Sequence, residues 1–233
     1  MKKTLKILGL LLVMCTIGFG GFVGWKLYPH DNPKPLSSPL VSAYSEEGEM
    51  LLEGTNIRAD YAQLSKTFQP QSLVSYCGVA SSVAVLNALE KSVSQGDFFT
   101  DDAAKIRPRL KVMFGGMSLP DLGGLLKAHG VRVTIHYADQ SSLEEFRSTI
   151  EKNLATADDY LIVNYQRKAL EQGEVGHISP LAAYDEGTDS VLIMDTAAHK
   201  YPPTWVPLEM LYAAMQTIDA ATGKMRGYIE VSK

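Results

Sequence analysis

Polar and apolar positions change rhythm several times along this chain. Ile7–Trp25 is a run of 19 uncharged, mainly apolar residues, close to the roughly 20 that a membrane-spanning helix needs. Lys2, Lys3 and Lys6 precede it and Lys26 alone follows closely, a bias that puts the bulk of the protein outside the cytoplasm. Residues 1–26 are therefore expected to form an uncleaved anchor or a cleaved signal peptide. Acylation at Cys15 within "LVMC" is a third option. "YPHDNPKPLSSP" follows, with four prolines and polar spacing, and reads as a linker over residues 27–40. Residues 41–233 remain for one folded domain.

Inside that domain the rhythm is first helical. From Gly78 onward Val79, Val83 and Leu86 share one face, and Ala80, Ala84, Val85 and Leu89 make the other sides apolar too. A helix of that kind belongs at the centre of a domain. "GGMSLPDLGGLLKAHG" predicts a helix capped by Ser118, with Pro120 in its first turn and Gly130 as terminator. "VRVTIHY" alternates as a strand does, and "SSLEEFRSTIEKNL" carries a hydroxyl cap followed by glutamates. Tyr160–Tyr165 is a short apolar strand. "HISPLAAY" and "SVLIMDTA" flank the turn "DEGTD" and predict a hairpin. "PLEMLYAAMQ" predicts a further helix and "GYIEV" a further strand. Helices first, then an antiparallel sheet carrying one more helix, make an α+β domain.

Composition narrows the function. At 45% hydrophobic and 21% charged residues the chain is an ordinary globular protein. Its formal charge of -4, with no long basic run, gives no support for a nucleic-acid partner. Taking away residues 1–25 removes three lysines and no acids, so the exported part carries -7. It also removes Cys15, leaving Cys77 as the one cysteine of the exported part. Cys77 then has no intramolecular disulfide partner and no second thiolate with which to build a metal cluster. It is either a small core residue or a chemically used thiol.

Its position favours use. Cys77 opens the central helix, where unpaired N–H groups and the helix dipole favour a thiolate. Cysteine nucleophiles need a base, and histidine is the usual one. His30 falls in the linker, His129 in the last turn of a helix, His136 at the end of a strand, and His199 beyond the hairpin. His177 begins the first hairpin strand, held by the sheet yet reached through a loop. Asp195 ends the second hairpin strand at the same open end. Cys77, His177 and Asp195 can therefore form a nucleophile–base–orienter triad. Gln71, six residues before the cysteine, can donate to a developing oxyanion beside the Cys77 backbone N–H.

"QSLVSYCGVASSVAVLNAL", "IVNYQRKAL" and "GHISPLAAYDEGTDSVLIMDTAAHKYPPTWVPLEMLYAAM" together resemble the phytochelatin synthase family, in particular its short bacterial members. The resemblance covers roughly residues 65 to 231, with three separated blocks in order. It implies a papain-like fold for the catalytic domain, a triad of Cys77, His177 and Asp195, and an oxyanion-hole glutamine at Gln71. It also implies that Asn164, Tyr165, Arg167 and Gly176 line or support the substrate site. The implied chemistry is attack on glutathione at its Cys–Gly bond. Glycine leaves, and a γ-glutamylcysteinyl thioester on Cys77 passes to water or to another glutathione or phytochelatin. No cofactor or resident metal is expected; cadmium or zinc would enter as activators or as thiolate complexes of the substrate. The cysteine-rich C-terminal region of eukaryotic members has no counterpart before Lys233, so hydrolysis is expected to exceed peptide synthesis. Expected partners are glutathione, γ-glutamylcysteine peptides, a second copy in a homodimer, and the inner membrane through an uncleaved segment on the periplasmic side. The competing readings are a papain-like peptidase for double-glycine leaders and an exported, non-catalytic binding domain.

Overall fold

The computed structural model describes residues 21–233. What it describes of the first helix, α1, is residues 21–27. The chain then runs β1 (Val41–Ser42), α2 (Glu46–Gly54), α3 (Tyr61–Thr67), α4 (Cys77–Ala88), α5 (Asp101–Ile106), α6 (Arg109–Gly115) and α7 (Leu119–Ala128). It continues through β2 (Arg132–Tyr137), α8 (Leu143–Leu154), β3 (Asp159–Gln166), a short 3-10 turn (Arg167–Leu170), β4 (Gly176–Asp185) and β5 (Ser190–Ile193). β6 (Thr204–Pro207), α9 (Leu208–Met215), β7 (Ile218–Asp219), β8 (Lys224–Met225) and β9 (Gly227–Ser232) complete it. This is a mixed α+β fold.

Seven strands form one sheet in the order β1-β6-β5-β4-β3-β9-β2, antiparallel at every step. One face carries α4 among Val79, Val83, Leu86, Ile162, Ile178 and Ile229; the other carries α8 and α9 around Phe146, Val163, Leu181 and Leu211. Strands buried on both faces call for near-continuous apolar runs, and "YLIV" and "VLI" supply them.

Helix α4 is enclosed on nearly every side. Its small residues permit this, and its two serines satisfy themselves inside the core. Ser81 Oγ donates to the carbonyls of Cys77 at 2.8 Å and Ile178 at 3.0 Å, and Ser82 Oγ to that of Gly78 at 2.7 Å. A Cβ on Gly78 would lie 2.5 Å from Met117 Sδ, so glycine is what lets the α6–α7 connection close over the start of α4. Both expected hydroxyl caps form full capping boxes, Ser118 with Asp121 and Ser142 with Glu145.

The expected membrane anchor, and with it the inner membrane as a partner and the periplasmic membrane-side location, is corrected by the structure. Among the described residues no helix is long and apolar enough to cross a membrane. Residues 21–27 make only about two helical turns, and they end against the domain, where Val74 N–H donates to the Leu27 carbonyl at 2.9 Å. The rest of the apolar run lies outside the described residues. The proline-rich stretch that follows lies along the domain: the N–H groups of Asn32 and Lys34 donate to the carbonyls of His199 and Lys200, each at 2.9 Å.

Candidate active site

The open ends of β3, β4 and β5 and the start of α4 converge on one cavity of about 410 Å³. Gln71, Cys77, Asn164, Arg167, Gly176, His177, His199, Lys200, Asp219 and Arg226 are among its lining residues. Backbone bonds hold its walls together: Gln71 N–H donates to the Thr196 carbonyl at 2.9 Å, and Met194 N–H to the Pro180 carbonyl at 2.9 Å.

The expected base and its expected orienter come from the neighbouring strands β4 and β5. His177 is the second residue of β4, and Asp195 lies two residues past β5. His177 Nε2 is 2.9 Å from Asp195 Oδ1. An ionised carboxylate only accepts, so Nε2 carries the proton and the Nδ1 lone pair is left to act as base. Tyr165 lies opposite His177 across the β3–β4 ladder and meets its ring edge-on, with centroids 5.7 Å apart.

Behind the pair stands Arg167. Its Nη2 donates to both Asp195 oxygens at 2.8 Å, and its Nη1 to Gln172 Oε1. The guanidinium sits 5.0 Å from the Tyr201 ring and 5.9 Å from that of Tyr165. Burial alone would raise the Asp195 carboxyl, but the charges of His177 and Arg167 hold it well below the usual carboxylate range. Burial, with Arg167 adding and Asp195 opposing, pushes His177 down to about 4. At neutral pH the site rests as carboxylate and neutral imidazole.

Cys77 contributes a thiol. Burial pushes it up, and neither the Gly78 and Ile178 amides nor Arg167 reverses this. The expected stabilisation of a thiolate by the helix N-terminus is therefore outweighed by desolvation. Gln71 also differs from expectation. Its Nε2 donates to the carbonyls of Leu73 at 3.0 Å and Val74 at 2.8 Å, which occupies both hydrogens, while Oε1 is buried without a partner. In this arrangement Gln71 shapes the loop before Cys77, and donation into the cavity requires its amide to turn.

The four residues expected around the substrate divide into two pairs. Asn164 and Gly176 line the cavity. Tyr165 lies behind His177, and Arg167, though it reaches the cavity wall, spends its terminal nitrogens on Asp195 and Gln172 rather than offering them to a ligand. A different arginine, missed from sequence, faces the cavity. Arg226 Nη1 donates to Asn164 Oδ1 at 2.9 Å and lies 3.8 Å from Asp219 Oδ2, and its Nε is buried without a partner. A Cβ on Gly176 would come within 2.8 Å of Arg226 Nη1, so glycine there makes room for the guanidinium. Arg226 joins Asn164 only because β9 pairs with β3, with Gly227 opposite Asn164. Nothing local in the sequence announces that. Among the described residues, no group of three or more histidine, cysteine or acidic side chains is arranged to hold a metal ion.

Residues 32–228 match the family model described as phytochelatin synthase. Glutathione gamma-glutamylcysteinyltransferase 3 of Lotus japonicus is 34% identical over 218 residues, covering 89% of this chain and 44% of the relative. Glutathione gamma-glutamylcysteinyltransferase 1 of Triticum aestivum is 36% identical over 217 residues, covering 89% and 43%. The glutathione gamma-glutamylcysteinyltransferase of Schizosaccharomyces pombe is 27% identical over 176 residues, covering 73% and 42%. The chain thus spans less than half the length of these curated relatives. With its sequence matched from the proline-rich stretch to β9, the chain belongs to the phytochelatin synthase family.

Proposed function

We propose that this protein is a cysteine-nucleophile acyltransferase acting on glutathione at the Cys–Gly bond, through a γ-glutamylcysteinyl thioester on Cys77. The observation that carries the reading is the cavity lined by both Cys77 and His177, with Asp195 buried behind it and its carboxylate 2.9 Å from the imidazole. A helix bearing the nucleophile at its start, packed on an antiparallel sheet bearing base and acid, supports a papain-like arrangement. The names of the curated relatives supply the substrate.

The protonation states suit a concerted start. As Cys77 Sγ bonds to the cysteinyl carbonyl carbon, its proton passes to His177 Nδ1. The new imidazolium is stabilised by Asp195, and the oxyanion accepts from the Cys77 backbone N–H. Collapse breaks the C–N bond, and the glycine nitrogen leaves with the proton from Nδ1. In the second half His177 takes a proton from water or from the α-amine of another glutathione, which attacks the thioester and frees the thiol.

Arg226 and Asp219 fit the far end of this substrate. The γ-glutamyl group presents an α-carboxylate and an α-ammonium on one carbon, and the cavity presents a guanidinium and a carboxylate side by side. A rigid donor fork with an unpartnered Nε is suited to the carboxylate.

Rapid quenching with glutathione followed by intact-mass measurement tests the reading. A γ-glutamylcysteinyl adduct, absent from Cys77→Ala, is expected, and glycine release by Cys77→Ala would end the proposal. Chromatography of the products, with and without cadmium or zinc, separates γ-glutamylcysteine from longer peptides and so assigns the acceptor.

A further inference from the structure

His177 divides the cavity into two flanks, because sheet order fixes what lies on each side of it. On one side come β3 and β9, carrying Asn164 and the approach to Arg226; on the other comes β5, followed by the loop holding Asp195, His199 and Lys200. The charges of the cavity wall are likewise divided. Arg167 is matched by Asp195 at 2.8 Å, and Arg226 lies 3.8 Å from Asp219. Lys200 is the third cation of the wall, and among the described residues it has no carboxylate partner in an ion pair. Counting Asp195, buried behind the wall against Arg167, together with Asp219 on it, two anions face three cations and one positive charge is in excess.

Glutathione carries two carboxylates and one ammonium, so it is one negative charge in excess. Its α-carboxylate and α-ammonium are accounted for on the Arg226 flank. Its glycine carboxylate lies at the opposite end of the molecule, beyond the bond that breaks. Resting on the reading above, we propose that Lys200 binds the carboxylate of the departing glycine, so that the enzyme selects donors whose leaving group is a free C-terminal amino acid.

The loop is built for such a post. Its backbone is fixed at Lys200 by the N–H bond to the Ala197 carbonyl at 2.8 Å and by the Lys34 N–H donating to the Lys200 carbonyl at 2.9 Å. The side chain is half-buried, so its charge is only partly screened. His199, also half-buried, is held toward its neutral form by burial and by the adjacent Lys200, so it adds a hydrogen-bonding ring without a second fixed charge. A lysine here carries a cost as well as a benefit, since its charge adds to the forces keeping His177 unprotonated. A carboxylate seated on Lys200 cancels that charge as the imidazole takes up its proton. Donor binding and base activation are thereby coupled.

The test compares glutathione with glutathione whose glycine carboxylate is replaced by a carboxamide, measuring release of glycine or glycinamide. The native protein is expected to prefer the acid by about 10- to 100-fold in kcat/KM, the range for a hydrogen bond to a charged group. Lys200→Gln should collapse that preference toward unity, and Lys200→Arg should keep most of it. A thermal melt confirms that both variants are folded. If Lys200→Gln retains the native preference, or the native protein does not distinguish acid from amide, the Lys200 assignment is overturned while the acyltransfer reading stands. Release from neither donor by the native protein would overturn both.

Discussion

Replacing Arg167 by methionine separates two roles that an arginine at this site could play. If its guanidinium gripped a substrate carboxylate, the loss would appear chiefly in KM. The structure instead gives Asp195 two of its hydrogen bonds from Arg167 Nη2, each 2.8 Å, inside a region where Arg167 is 2% exposed. Removing one member of a buried pair costs about 3–5 kcal/mol, because the remaining charge is left uncompensated. For a domain of this size that is a fall of about 6 to 20 °C in melting temperature. The pH dependence has a definite sign. His177 must be neutral to take the thiol proton, so activity is lost as pH falls through its pKa, about 4 in the native protein. Arg167 is one of the forces lowering that value, so its removal moves the acid limb to higher pH. Asp195, relieved of the same partner, becomes easier to protonate, and the stability it contributes is lost starting from a higher pH as the solution is acidified. The assay is a pH profile of kcat and kcat/KM for glycine release, with a melt at each pH. A variant with native melting temperature, an unmoved acid limb and a raised KM alone would refute this account and return Arg167 to the substrate.

Asp195→Asn should lower kcat by about 10⁴ by losing control of the tautomer, with the fold intact by circular dichroism; a fall of less than tenfold would remove Asp195 from the machinery. Gly176→Ala places a Cβ 2.8 Å from Arg226 Nη1, so it should raise KM for glutathione more than it lowers kcat, and an unchanged KM would mean that this flank does not hold donor. Iodoacetamide modification of Cys77 should keep accelerating beyond pH 9, because burial pushes the thiol up; a plateau reached near pH 6 would indicate a resting thiolate. Asp60 is buried and is pushed up to about 8 by burial, with the Asp158 backbone N–H opposing and the Asp159 and Asp158 charges adding. The folded protein therefore holds a proton that the unfolded chain releases near pH 4, and stability falls as pH rises from about 4 to 8. Asp60→Asn should gain stability over the native protein across that window in urea denaturation, and a constant difference at all pH values would contradict it.

What was legible in the sequence was local. An all-round apolar helix, two hydroxyl caps and a charged turn between apolar runs each announce themselves within about fifteen residues, and α4, α7, α8 and the β4–β5 hairpin follow from them. The hairpin alone brings His177 and Asp195 to one end. Among the unread elements, the strands depend on distant partners. β6 follows Pro203 and ends on Pro207, and it forms because Trp205 and Val206 find Leu192 and Val191 across the ladder. Its proline flanks read as loop. Arg167 and Lys168 are neighbours in "NYQRKAL", yet one is buried against Asp195 and the other exposed beside Glu174. Only the chain's return from the 3-10 turn decides between them. Gln71 was placed beside the cavity by its spacing from Cys77, but spacing could not show that nearby carbonyls engage its amide.

The place of β9 between β3 and β2 has a consequence for how the molecule is made. Cys77 is synthesised 100 residues before His177 and roughly 150 before Arg226. β3 and β2 lie next to β9 rather than to each other, so their shared edge stays open until residues 227–232 arrive. A growing chain that has not reached residue 226 therefore carries Cys77 without the complete cavity wall. The same order leaves apolar strand edges unpaired for most of translation, when aggregation competes with folding. Closure of the cavity wall and protection from aggregation thus arrive in one step, with the docking of a six-residue strand.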